Sequence, residues 1–281
     1  MSENKDKAFF CIDNDWFVGN GASRGPWTAD ACHAGPVTAI IARALEQNAP
    51  DKQLVRLTVS FCRPVPITGF RVDAEIIRNG RSATSAIATL RDADDRICAT
   101  ASSLHLTTHS FKEIPTASIP HPCIEDATSG KFAVGRPLHG LPFFGSSVDV
   151  AYPPNETREP GPTTMWMRAL PIIEGEDPTP FQSLCPISDC GNGISRNADF
   201  SEVSFVNADI TVAAYRLPES AWLASQAISF WQPSGIGLSQ ATLFDTRGSV
   251  GTALQTLIVK PVGQAQKSLE NGPVFGHTSL D

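Results

Sequence analysis

Two stretches decide how this chain is read: LVRLTVSFCR at residues 54–63 and NADITVAAYR at 207–216. Thr58, Val59 and Arg63 of the first recur as Thr211, Val212 and Arg216 of the second, a spacing of 153 residues. The same spacing carries Ala88-Thr89-Leu90 with Asp92 onto Ala241-Thr242-Leu243 with Asp245, and Leu104 and Leu106 onto Leu257 and Val259. One register held across separate segments points to an internal duplication. The repeated unit is too long for a solenoid and suits a small domain, so two covalently joined copies of one fold are expected. A fused pair of this kind stands in for a homodimer, and the ligand cleft is then expected where the copies meet.

Composition agrees. With 281 residues and 41% hydrophobic content the chain can bury one large core or two modest ones. A formal charge of −7 and a pI near 5.4 argue against nucleic-acid partners, which need clustered Lys and Arg. The N-terminal residues form no long apolar segment, and no later run approaches a membrane span, so a soluble, cytoplasmic protein without membrane partners is expected. The seven cysteines are odd in number and scattered, as free thiols of a reducing compartment would be. Cys185 and Cys190 lack a second ligand pair, so no metal is expected.

In the first half, Gly35-Pro36-Val37 opens a helix running to about Gln47, with Val37, Ile40, Ile41, Ala44 and Leu45 on one face. Alternating segments follow at 54–63, 70–78, 82–91 and 96–106, with Asn79-Gly80 and Asp92-Ala93-Asp94-Asp95 as hairpin turns. The second half repeats the order: a lead-in strand at 163–170, a helix position at 181–193 interrupted by Pro186 and Gly191-Asn192-Gly193, then strands at 206–216, 222–232, 237–245 and 249–259. A helix laid on an antiparallel sheet, twice over, is an α+β arrangement. The expected divisions are 1–110, a proline-rich surface linker at 111–150, 151–260, and a polar tail at 261–281.

Gly25-Pro26-Trp27, then His33-Ala34-Gly35-Pro36 opening an apolar helix, then Val59-Ser60-Phe61-Cys62-Arg63-Pro64, resemble the double-hotdog acyl-CoA thioesterase family. Ile187-Ser188-Asp189, Tyr215-Arg216 and Leu254-Gln255-Thr256 resemble the same family in the second half. The resemblance implies two hotdogs whose sheets join edge to edge. It also implies cleavage of an acyl-CoA thioester without cofactor, by an Asp on the second helix region, a Thr or Ser on the next strand and a Gln on the last. The Asp falls on Asp189 and the Gln on Gln255. Asn207 stands where the family has a hydroxyl, which is a departure.

Thioester hydrolysis needs a held water, a carboxylate to orient or deprotonate it, and donors for the oxyanion. Asp189 supplies the carboxylate; Gln255 and Asn207 each offer an acceptor and a donor for the same water. Backbone N–H groups at Ala34 and Gly35, and at Cys190 and Gly191, are the expected oxyanion donors. His33 is the one histidine inside a motif, which makes a general base one reading of it; the family pattern implies a structural role there, and it is placed with the substrate-binding set. Arg63 and Arg216 are candidates for a CoA phosphate, or for structural roles at the sheet rim. Bland readings stand beside these: Asp189 as a helix N-cap, Gln255 as a solvent-facing residue equivalent to Ser102, and Asn207 as a turn residue. Asp209, two residues on, is expected to share the face of Asn207. Dehydration or cyclisation of an acyl or polyketide-like substrate, and silent acyl binding, are the rival functions. The first of these resembles a hotdog branch that needs an Asp and a His paired on one helix, and neither helix contains both. A homodimer of double hotdogs is a further expectation.

Overall fold

The computed structural model describes residues 6–133, 139–157 and 159–262. In chain order the elements are β1 (Phe10–Asp13), β2 (Trp16–Gly19), α1 (Ala34–Asn48), β3 (Gln53–Phe61), β4 (Arg71–Asn79), β5 (Ala83–Arg91) and β6 (Ile97–Leu106). There follow β7 (Thr128–Ser129), α2 (Phe144–Ser147), β8 (Asp149–Tyr152), β9 (Thr163–Arg168), α3 (Pro180–Ser188) and α4 (Gly191–Ile194). The chain closes with β10 (Val203–Asn207), β11 (Asp209–Ala214), β12 (Leu223–Trp231), β13 (Ile236–Asp245) and β14 (Gly248–Pro261).

All strands after the β1–β2 hairpin join one antiparallel 12-stranded sheet, ordered β4-β5-β6-β3-β11-β14-β13-β12-β9-β8-β7, with β10 extending the β11 side of β14. Read outward from the β3–β11 junction, the two halves carry their equivalent strands in the same order: this is a double hotdog of the α+β class. Each sheet face alternates as a half-buried strand must: Thr84, Ala86, Ala88 and Leu90 of β5 point inward, as do Gly237, Ser239, Ala241 and Leu243 of β13. The helices lie on that inner face. α1 is buried from Gly35 to Ala42, and it runs antiparallel to α3: Gly35 meets Pro186 at one end, and Glu46 accepts bonds from Thr179 and Gln182 at the other. A Cβ on Gly35 would lie 2.8 Å from the Pro186 carbonyl oxygen, so only glycine allows this approach.

The repeat does not keep its spacing throughout. The first turn spans Asp92 to Arg96, whose backbone groups pair; its counterpart runs from Asp245 to Gly248 and is one residue shorter. Beyond it Ala88 pairs with Ala101, and Ala241 with Ala253, so β14 slips by one residue against β6. The true equivalents are therefore Ser103 with Gln255, Leu104 with Thr256 and His105 with Leu257, which corrects the expected pairing of Leu104 with Leu257. A one-residue slip exchanges the faces of a strand. Gln255 accordingly points inward, while Ser102, its expected partner, faces solvent. The helix slips further, since α3 and α4 end well before the position that α1 would reach at the strand spacing.

The region at 111–150 is more than a surface linker. β7 pairs with β8, Phe132, Phe143 and Phe144 are buried, and Ile124 and Ala127 cover Trp166 on the outer sheet face. Prolines forbid a long element there but leave single aromatic residues free to anchor in the core. The expected polar tail lies outside the described residues from 263 onward.

Candidate functional site

The site forms where α3 breaks. Pro186 lacks the N–H that would continue the helical ladder, and α3 ends at Ser188 with Asp189 as its C-cap. Asp189 is thus not the N-cap of α4, a place Cys190 takes, and its carboxylate accepts no backbone N–H among the described residues. Instead its side chain, 4% exposed, faces three side chains from distant parts of the chain. Gln255 Nε2 donates to Asp189 Oδ1 at 3.0 Å, Asn207 Nδ2 donates to the same oxygen at 3.0 Å, and His33 Nδ1 lies 3.0 Å from Oδ2.

Both amides are oriented by second partners. Asn192 N–H donates to Gln255 Oε1 at 3.1 Å, which leaves Nε2 to face Asp189. Asn207 Nδ2 also donates to the Asp209 carbonyl oxygen at 3.3 Å, so its nitrogen lies between two acceptors. The backbone of Gly191 sits directly over this group: a Cβ there would come within 3.2 Å of Gln255 Oε1 and 3.0 Å of Ser239 Oγ. Gly191 thereby lets α4 close onto β13 and β14.

Asn207 and Asp209 do not share a face, contrary to the alternation expected for one continuous strand. Asn207 pairs with Leu257 whereas Thr211 pairs with Leu254, so four residues on one side oppose three on the other. This bulge at Ala208 and Asp209 turns Asn207 toward Asp189 and sends the Asp209 carboxylate to the Thr256 N–H at 2.7 Å.

His33 is the N-cap residue of α1, and Ala34 and Gly35 are its first helical residues. The His33 ring stacks on Phe144 with centroids 4.0 Å apart, and Phe144 stacks in turn on Phe9. Phe144 comes from the proline-rich segment; the adjacent aromatic pair Phe143-Phe144 amid prolines was the only sequence signal for it.

The two repeat-related arginines part company. Arg216 makes a bidentate pair with buried Asp245 at 2.7 Å and also donates to the Gly248 and Ser249 carbonyl oxygens. It lies past the far end of β11, roughly 20 Å along the strand from Asn207, and is not brought to Asp189. Arg63 follows β3 at the end where Phe61 N–H meets the Ala208 carbonyl, beside the bulge, and donates one bond to the Ile97 carbonyl oxygen. Beyond Asn207 on the same strand, Phe205 packs with Trp27, Phe200 and Trp231 into an aromatic wall that joins both halves. Burial pushes the Cys185 and Cys190 thiols well up; their sulfurs bond to α3 carbonyl oxygens. Among the described residues no group of three or more His, Cys, Asp or Glu side chains is placed to hold a metal ion. No helix among them is long and apolar enough to cross a membrane.

A tandem hotdog with polar side chains converging at the break in its second helix belongs to a known class. Family models for the acyl-CoA thioesterase N-terminal domain and C-terminal domain match residues 23–106 and 120–259. The chain belongs to this acyl-CoA thioesterase family. Among solved structures, a putative thioesterase II from Thermobifida fusca is similar at 16% identity and a TM-score of 0.71, covering 90% of this chain and 96% of that one. A putative thioesterase from Novosphingobium aromaticivorans is 18% identical with a TM-score of 0.67, covering 90% and 98%. An acyl-CoA thioesterase II from Mycobacterium marinum is 15% identical with a TM-score of 0.56, covering 89% and 94%. At these identities the likeness speaks for the fold. No curated protein matches the chain.

Proposed function

We propose that this protein hydrolyses an acyl-CoA thioester to the free acid and CoA, using a water held at the Asp189 cluster. The observation that carries the reading is the convergence of Gln255, Asn207 and His33, from three distant elements, on one buried carboxylate. A buried carboxylate is costly unless donors meet it, and the drawing of donors from three distant elements onto one carboxylate is the convergence that an active site needs. Gln255 and Asn207 hold Oδ1 in place, while Oδ2 faces the His33 ring. Arg63, on the same end of the sheet, is the residue of the pair at 63 and 216 that remains a candidate for a CoA phosphate.

The test is thioester cleavage by the full chain over a panel of acyl-CoA chain lengths, with released thiol detected directly. Asp189→Asn is expected to lower turnover by about 10²- to 10⁴-fold in a folded protein. A rate within about threefold of the unchanged protein would remove Asp189 from the mechanism. One observation supports a second reading: the Asp and His pair that a dehydrating hotdog needs on one helix is made here between two helices, by Asp189 and His33. Loss of water from a 3-hydroxyacyl thioester without thiol release would favour it.

A further inference from the structure

We infer that His33 is the general base of this hydrolysis and that Asp189 is the residue that orients it; the inference rests on the hydrolytic reading above. Asp189 is the more enclosed of the two, 4% exposed against 11% for the His33 side chain. Its Oδ1 already receives both amides. His33 Nδ1 has two neighbours that make opposite demands. The Gly35 N–H at 3.2 Å needs a bare nitrogen, whereas Asp189 Oδ2 at 3.0 Å needs a proton between the atoms. A hydrogen bond to a carboxylate is roughly twice as strong as one between neutral groups, so the Asp189 contact decides the tautomer. The proton sits on Nδ1, and the lone pair is left on Nε2, which makes no hydrogen bond among the described residues.

The ring cannot readily turn to undo this arrangement. It is stacked on Phe144 at 4.0 Å with planes 19° apart, and Phe144 is itself buried against Phe9 and Phe132. The step then balances as follows. A water oxygen bonds to the acyl carbon as one water proton passes to His33 Nε2, the carbonyl electrons moving to oxygen. Collapse of that intermediate breaks the carbon–sulfur bond, and Nε2 returns the proton to the departing thiolate. Acid and thiol are the products, and the imidazole regains its starting state. Asp189 stabilises the transient imidazolium without taking the proton.

His33→Asn separates this role from a structural one at the start of α1, because Asn is a favoured N-cap residue and leaves that helix end supported. The expected result is a kcat lower by about 10²- to 10⁴-fold, KM within about threefold, an unfolding midpoint within a few degrees, and partial recovery of rate with added imidazole. His33→Phe, which keeps the stack on Phe144, is expected to lose the same rate. Either variant retaining activity within about threefold, or an intact fold whose loss imidazole does not relieve, overturns the assignment and makes Asp189 itself the base. Failure of the unaltered protein to release thiol from any acyl-CoA counts instead against the hydrolytic reading.

Discussion

Thr58 and Thr211, equivalent residues of the two repeats, are direct partners across the β3–β11 junction, their hydroxyl oxygens 2.9 Å apart. An antiparallel pair in which a residue faces its own counterpart has a local twofold axis running between the two. The internal duplication and the continuity of the sheet are thus the same fact seen at one position. Each hydroxyl satisfies the other, so replacing one leaves its partner without a bond, while replacing both removes the need for it. Thr58→Val and Thr211→Val are each expected to cost about 0.5–1.5 kcal/mol, and the double variant less than their sum. Denaturant unfolding of the four proteins measures the coupling; strict additivity would show that the hydroxyl pair contributes nothing.

The same axis relates Asp92 to Asp245, and each is paired with an arginine: Asp92 with Arg96 across its own turn, Asp245 with Arg216 from the end of β11. Burial alone would raise the Asp245 carboxyl, but bonds from Arg216 and from the backbone N–H groups of Glu219 and Arg247 outweigh it and hold the group at about 2. A carboxyl depressed by folding stabilises the protein above its unfolded pKa and loses that contribution as pH falls through the folded value. The interaction is worth about 2 kcal/mol at neutral pH by this linkage. It should fade between about pH 4 and pH 2. Unfolding of Asp245→Asn beside the unaltered protein across that range is expected to show a difference that closes in acid. A difference independent of pH would mean that the packing of this turn, and not its charge, sets the stability.

Glu46 behaves in the opposite sense. Burial pushes its carboxyl up, against hydrogen bonds from Gln182 and Thr179 that favour the charged form. A group whose folded pKa is raised stabilises most below its unfolded pKa and loses that contribution as pH rises through the folded value. Glu46→Gln keeps the shape and one acceptor for the start of α3 while removing the charge. Relative to the unaltered protein, it is expected to gain stability as pH rises above the ordinary carboxylate range in thermal melts. A constant offset over that rise would show that desolvation of Glu46 is already offset by its partners.

Much of this architecture was legible in the sequence. α1 was readable because Pro36 and the spacing of Val37, Ile40, Ile41 and Leu45 fix both its start and its buried face. The hairpin turns at Asn79-Gly80 and Asp92 to Asp95 were readable because turn residues separate alternating runs. What escaped depends on single residues whose effect is visible only against a partner strand. The bulge at Ala208 and Asp209, and the turn between Asp245 and Gly248, each change a ladder by one position. Neither alters the local pattern of apolar residues, yet together they decide that Asn207 and Gln255 face inward. The contact of His33 with Asp189 lies across the junction between halves, where no periodicity within one half could disclose it.

The resemblance implies a hydroxyl where this chain has Asn207, and the geometry there says what a replacement must do. Its amide donates to Asp189 Oδ1 and to the Asp209 carbonyl oxygen, so its service to the carboxylate is that of a single donor, which a hydroxyl also provides. Asn207→Thr is therefore expected to retain or raise thioesterase turnover, since a β-branched residue also suits the strand. Asn207→Leu removes the donor, leaves Oδ1 with Gln255 alone, and is expected to lower kcat by about tenfold or more, as loss of a hydrogen bond to a charged group costs roughly 1.5–3 kcal/mol. Steady-state kinetics on whichever acyl-CoA the unaltered protein turns over best decides between them. If the native chain releases no thiol while the Thr variant does, Asn207 marks a function turned away from hydrolysis. Equal rates for the Leu and native proteins would show instead that Gln255 and His33 suffice to hold Asp189.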